Sequence, residues 1–105
     1  SGMEARMQGR YFHERVCFIG HSHIPGVYPL DSDSGEYSPA YRFLINVGSV
    51  GQPRDGDPRS SYGLLDTVAG TYDNRRITYD VDSAARAIRD SGLPSRLAQR
   101  LKAGV

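Results

Sequence analysis

Apolar residues come in short runs over most of this chain and at helical spacing only near its end. Val16-Cys17-Phe18-Ile19, entered from Arg15, has the length and β-branched content of a buried strand. Val27-Tyr28-Pro29-Leu30 predicts a second, short strand, with Pro29 suited to a sheet edge. Tyr41-Arg42-Phe43-Leu44-Ile45-Asn46-Val47 predicts a third. Ser61 to Asp66 predicts a fourth that continues through Tyr72 and reverses at Asp73-Asn74. Arg75 to Val81 alternates, so residues 62 to 81 predict an antiparallel hairpin. Residues 3 to 14 are mostly polar, with Met7, Tyr11 and Phe12 as larger apolar groups, and read as the tail of a helix. Asp31 to Glu36 is rich in turn formers and lacks the full calcium-loop pattern, so it reads as a plain exposed loop.

Two helices are predicted to close the chain. Asp82 or Ser83 caps the first, Ala84, Ala85 and Ile88 give its apolar spacing, and Gly92 ends it. Pro94 opens the second, Leu97, Ala98 and Leu101 form its stripe, and Gly104 stops it. The order predicts an α+β fold: a mixed, mostly antiparallel sheet with two C-terminal helices, as a single domain over 1–105.

Composition narrows the function classes. Thirteen basic and 12 acidic residues leave a net charge of +1, which argues against nucleic acid as a partner, except as a small nucleotide substrate. The basic residues Arg86, Arg89, Arg96, Arg100 and Lys102 read as solvated helix faces. A single cysteine, Cys17, reads as a small buried hydrophobe and points to a cytoplasmic location. No apolar run approaches the ~18 residues of a membrane span. Ser1-Gly2 ahead of Met3 reads as a tag-cleavage scar.

The chemistry concentrates in Gly20-His21-Ser22-His23, directly after the first strand. Residues i and i+2 of a strand share a side, so the pattern predicts two imidazoles aimed together, as a metal site needs. Two imidazoles do not fill a coordination shell, so oxygen ligands are expected from elsewhere in the fold. His13, in a polar segment, reads as a surface residue. The segment from Asn46 to Arg54 has two readings. One is a strand ending in a glycine turn; the other is a cradle for an oxyanion, with Asn46, Ser49 and Arg54 as candidate substrate contacts. Arg54 could equally pair with Asp55 or Asp57.

Three segments together resemble the C-terminal half of calcineurin-like metallophosphoesterases: Phe18-Ile19-Gly20-His21-Ser22-His23-Ile24-Pro25, Ile45 through Arg54, and Tyr62-Gly63-Leu64-Leu65-Asp66. The best match is the small prokaryotic branch of phosphodiesterase-like and diadenosine-tetraphosphatase-like members. The resemblance covers about residues 15 to 103. It implies an α/β/β/α sandwich and a dinuclear centre of divalent metal, Mn, Fe, Zn or Ni, with His21 on one ion and His23 on the other. His21 is the catalytic candidate. Two ions roughly 3.5–4 Å apart would clamp a phosphate ester and supply the attacking hydroxide. The family's Asp-x-His, Gly-Asp and Gly-Asn-His motifs do not precede the histidines here. The chain is therefore expected to be inactive alone and to need an N-terminal half, or a second copy as a homodimer or swap, over an apolar face. The alternative is a non-catalytic interaction scaffold, a use to which the retromer subunit puts a similar fold.

Overall fold

A computed structural model describes residues 2–31 and 35–105. Ser32, Asp33 and Ser34 of the predicted exposed loop lie outside the described residues. Strands β1 (Val16–Ile19), β2 (Gly26–Pro29) and β3 (Phe43–Asn46) form one sheet in the order β1-β3-β2. β1 runs parallel to β3, with Phe18 beside Ile45, and β2 runs antiparallel to it. β3 is buried throughout, as an unbroken apolar run requires of a strand covered on both faces. Pro29 sits on an edge strand, where its missing N–H costs no ladder bond.

The two faces of this sheet are covered differently. Helix α1 (Gly2–Gln8), continued by a 3-10 turn at Gly9–Tyr11, lies on the Leu44 side and buries Ala5. Cys17 is on that side too, half-buried against a cavity shared with Gln8, Tyr11, Phe12 and Leu44, so it is less enclosed than its apolar run predicts. On the Phe43 side, Tyr37 stacks 5.2 Å from the Phe43 ring, and Tyr72 lies 6.5 Å from Tyr37 and 6.4 Å from Phe18.

Tyr72 belongs to a hairpin of β4 (Ser60–Asp66) and β5 (Thr71–Ile77). The hairpin is present, but it reverses at residues 67–70 and not at Asp73-Asn74. The Asp66 carboxylate accepts from the amides of Val68 and Ala69, both at 2.9 Å, and the Gly70 amide returns to the Asp66 carbonyl. Asp73 and Asn74 instead pair with Leu64 and Gly63 inside the ladder. Helices α2 (Val81–Asp90) and α3 (Ser95–Ala103) pack on each other through Ala85, Ala98 and Leu101. The cap of α2 is Asp80, two residues before the earlier of the two predicted caps: its carboxylate takes the Ser83 amide at 3.0 Å and the Ser83 hydroxyl at 2.7 Å. Pro94 and Gly104 bound α3 as predicted, and the Gly104 carbonyl accepts from Gly56, docking the helix end on the loop after β3.

That loop carries a charge cluster. Asp55 pairs with Arg76, and Asp57 accepts from Arg59 Nη2 at 2.8 Å and Nε at 3.1 Å. The Arg59 side-chain bonds first, then its amide, hold the Asp57 carboxyl down from 3.8 to about 2. A carboxylate depressed in the folded state favours folding above its unfolded pKa and loses that effect as pH falls through its folded one. The chain should therefore lose stability between pH 3.8 and about 2 from this group. In Arg59→Ala, the Asp57 midpoint should rise toward the ordinary carboxylate value while staying below it, because the residue-59 amide and the Arg76 charge remain. Carboxyl-carbon NMR against pH checks this; an unmoved Asp57 midpoint in the variant would refute the assignment.

The molecule is longer than a packed chain of its size. Its radius of gyration is 16.2 Å and its extents are 48 × 28 × 19 Å, against roughly 13 Å expected for the radius. Its accessible surface is 6836 Å², about 1,000 Å² above the value expected for 11.6 kDa. Part of that excess is apolar: Phe18 is 49% and Ile19 38% exposed on β1, an edge strand with one free side. No described helix is long and apolar enough to cross a membrane.

Candidate functional site

The histidines leave the strand before they are reached. β1 ends at Ile19, and His21 and His23 take φ of 78° and 61°. Strand parity therefore does not aim the imidazoles; a strained loop does. The Ser22 amide bonds to the Gly20 carbonyl at 3.1 Å across His21, the bond of a γ-turn in its rare positive-φ form. His21 and His23 are the positive-φ residues other than glycine among the described residues. Each costs on the order of 1–3 kcal/mol, and such strain persists only where the surroundings enforce it, most often at sites of function.

Two segments enforce it. Asn46, at the end of β3, donates its amide hydrogens to the Gly20 carbonyl at 3.1 Å and the Ser22 hydroxyl at 2.8 Å. The segment after Gly48 holds His23: Nδ1 lies 2.8 Å from the Gln52 carbonyl, and the Arg54 amide donates to the His23 carbonyl at 3.1 Å. A carbonyl only accepts, so Nδ1 carries the hydrogen and the Nε2 lone pair of the neutral ring is left free. A backbone carbonyl on one imidazole nitrogen is the usual support for a ring that ligates metal through the other. His21 is exposed and borders a cavity of about 220 Å³ with Glu4, Gln8, Tyr28 and Asn46. His13 is exposed, as predicted.

The candidate substrate contacts are placed unequally. The Asn46 amide is committed to the chain itself, since its Oδ1 also accepts from Gly48 at 3.0 Å. The Ser49 hydroxyl accepts from the Gln52 amide at 2.9 Å. Arg54 pairs with neither Asp55 nor Asp57, which are engaged by Arg76 and Arg59; it donates to Gln52 Oε1 at 3.1 Å, and its buried Nε has no partner. Gly48 sits at φ 81°, and a Cβ there would meet the Ser61 hydroxyl at 2.7 Å, so glycine is required. The sequence did not single out Ser22 or the Gln52 carbonyl; an exposed serine and a peptide group carry no signal of such a role.

Among the described residues no three His, Cys, Asp or Glu side chains converge as a metal group. By donor type His21 and His23 suit a divalent metal as nitrogen ligands, His23 with its tautomer fixed, and among the described residues no third His, Cys, Asp or Glu groups with them.

No family model matches the chain. An uncharacterized protein of Methanocaldococcus jannaschii is 37% identical over 102 residues, covering 85% of this chain and 39% of its own length. The crystal structure of a metallophosphoesterase from Sphaerobacter thermophilus matches with a TM-score of 0.88 and 33% identity, over 99% of this chain and 48% of that one. A hypothetical protein from Pyrococcus horikoshii OT3 matches with a TM-score of 0.71 at 15% identity, over 95% of this chain and 35% of that one, which shows the fold alone. The chain thus has the fold of the C-terminal half of a metallophosphoesterase and spans less than half the length of these relatives. The likeness supports the superfamily and singles out no branch within it.

Proposed function

We propose that this chain is one wall of a metal-dependent phosphoesterase, with His21 and His23 as nitrogen ligands to two divalent ions. The observation that carries the reading is the strained loop itself: two histidines at positive φ, one with Nδ1 fixed on the Gln52 carbonyl. When bound, such ions neutralise phosphate charge and activate water. The chain's own residues hold the two rings in place, and Arg54, lacking a carboxylate partner, supplies positive charge beside His23. Ser49 shapes the loop that faces the phosphate.

In this reading residues 1–105 form one unit whose partner is a complementary N-terminal half that covers the free β1 side and brings the oxygen ligands. The substrate is a phosphomonoester or phosphodiester, and the location is cytoplasmic. No observation favours a scaffold, which has no need of two strained histidines. The test joins this chain to its upstream gene sequence and assays p-nitrophenyl phosphate and bis-p-nitrophenyl phosphate. The complete protein should turn over one or both with Mn²⁺ and lose activity with EDTA, while the 105-residue chain alone stays at background. Activity that survives EDTA, or metal-dependent turnover by the short chain, would overturn the proposal.

A further inference from the structure

We infer that Asn46 is the positioning residue of the histidine loop, holding His21 and His23 in their left-handed backbone and so setting the aim of both rings. Its functional meaning rests on the metal-ligand reading proposed above; its structural content rests on hydrogen bonds alone.

Asn46 is 3% exposed at the end of the central strand. Its two amide hydrogens go to Gly20 at 3.1 Å and Ser22 at 2.8 Å, the residues on either side of His21. Its oxygen accepts from Gly48 at 3.0 Å, which fixes the amide plane from the other end. The Ser22 hydroxyl, held in this way, accepts from the Ile24 amide at 3.3 Å and so spans His23. The bonds from Gln52 and Arg54 fall on His23; those flanking His21 fall on Asn46. An aspartate of the same shape has no N–H to give. It would set an acceptor against the Gly20 carbonyl and release the turn. The need at position 46 is therefore for an amide and not for an acid or a contact to substrate.

The test uses the 105-residue chain labelled for NMR. The amide-to-α-proton NOE within a residue is strong only at positive φ, and it should be strong at His21 and His23. Zn²⁺ added alone should shift the signals of both imidazoles, each with a saturable midpoint. In Asn46→Asp the two NOEs should weaken and the Zn²⁺ midpoint should rise about 10-fold or more, with the β1–β3 cross-strand NOEs retained. Ser22→Ala should move both readouts the same way, and Ser22→Thr, which keeps the hydroxyl, should restore them. If Asn46→Asp does not fold, the Ser22 pair decides. Unchanged NOEs and an unchanged midpoint in either Asn46→Asp or Ser22→Ala would overturn the inference. Wild-type histidines that ignore Zn²⁺ would count against the metal reading, with the NOEs still judging Asn46.

Discussion

Replacing His23 with alanine in the complete parent protein should lower kcat/KM for a phosphate ester by about 10³-fold, equivalent to about 4 kcal/mol of transition-state stabilisation. The ring is half-buried and makes one side-chain bond, to the Gln52 carbonyl. Its removal therefore costs little folding stability, in the range of one net hydrogen bond, about 0.5–1.5 kcal/mol. A large kinetic effect beside a small stability effect separates a ligand from a structural residue. His21→Ala should behave alike, since His21 is exposed and its loss leaves no buried group unpaired. The measurement is kcat/KM together with metal content per chain and a thermal melt. A variant within tenfold of wild type at full metal content would show that His23 is not a ligand.

The kinetic prediction depends on a loop that no pattern of residues reveals. Gly20, just before the turn, has open space where a Cβ would go. The left-handed positions fall on His21 and His23, where local preference opposes them. Only contacts from β3 and from the segment after Gly48 make that conformation stable, and these lie some 25 to 30 residues away. The same bonds explain why the two motifs together are informative when either alone is weak. Gly-His-x-His and Gly-Gln-Pro-Arg are two sides of one hydrogen-bonded structure.

Elsewhere legibility followed burial and local chemistry. The strand through Phe43, Leu44 and Ile45 was readable because it is covered on both faces and so must be apolar throughout. The hairpin was readable as an element, but its turn was not. Asp73-Asn74 has turn composition yet pairs in the ladder, because Asn74 turns its amide inward to Val47 and Ser61. The true reversal relies on the Asp66 side chain replacing backbone partners. The α2 cap shifted for a similar reason: Asp80, Asp82 and Ser83 are all good cap residues, and only geometry chooses among them. Arg54 was ambiguous between two aspartates because the sequence does not show that Arg76 returns from β5 to take Asp55.

Phe43→Ala should be the most damaging single change to the fold, at about 3–5 kcal/mol. The ring is fully buried, with Tyr37 5.2 Å away and Tyr72 in turn against Tyr37. Through Tyr37 it links the first sheet to the hairpin, so its loss opens a space between them. The consequence depends on how much stability the chain has. A domain of this length has roughly 5–15 kcal/mol, and a surface excess of about 1,000 Å² over the packed value places this chain near the low end. Phe43→Ala alone should therefore leave the 105-residue chain largely unfolded at 37 °C, seen as loss of near-ultraviolet circular dichroism and of a cooperative melt. In the complete parent protein, where the proposed N-terminal half would cover the free β1 side, the same change should lower Tm but leave the protein folded. That contrast bears on the whole reading of the chain. An equal loss in both contexts would mean that the complementary half adds nothing to this core, and the exposed Phe18 and Ile19 would then need another explanation.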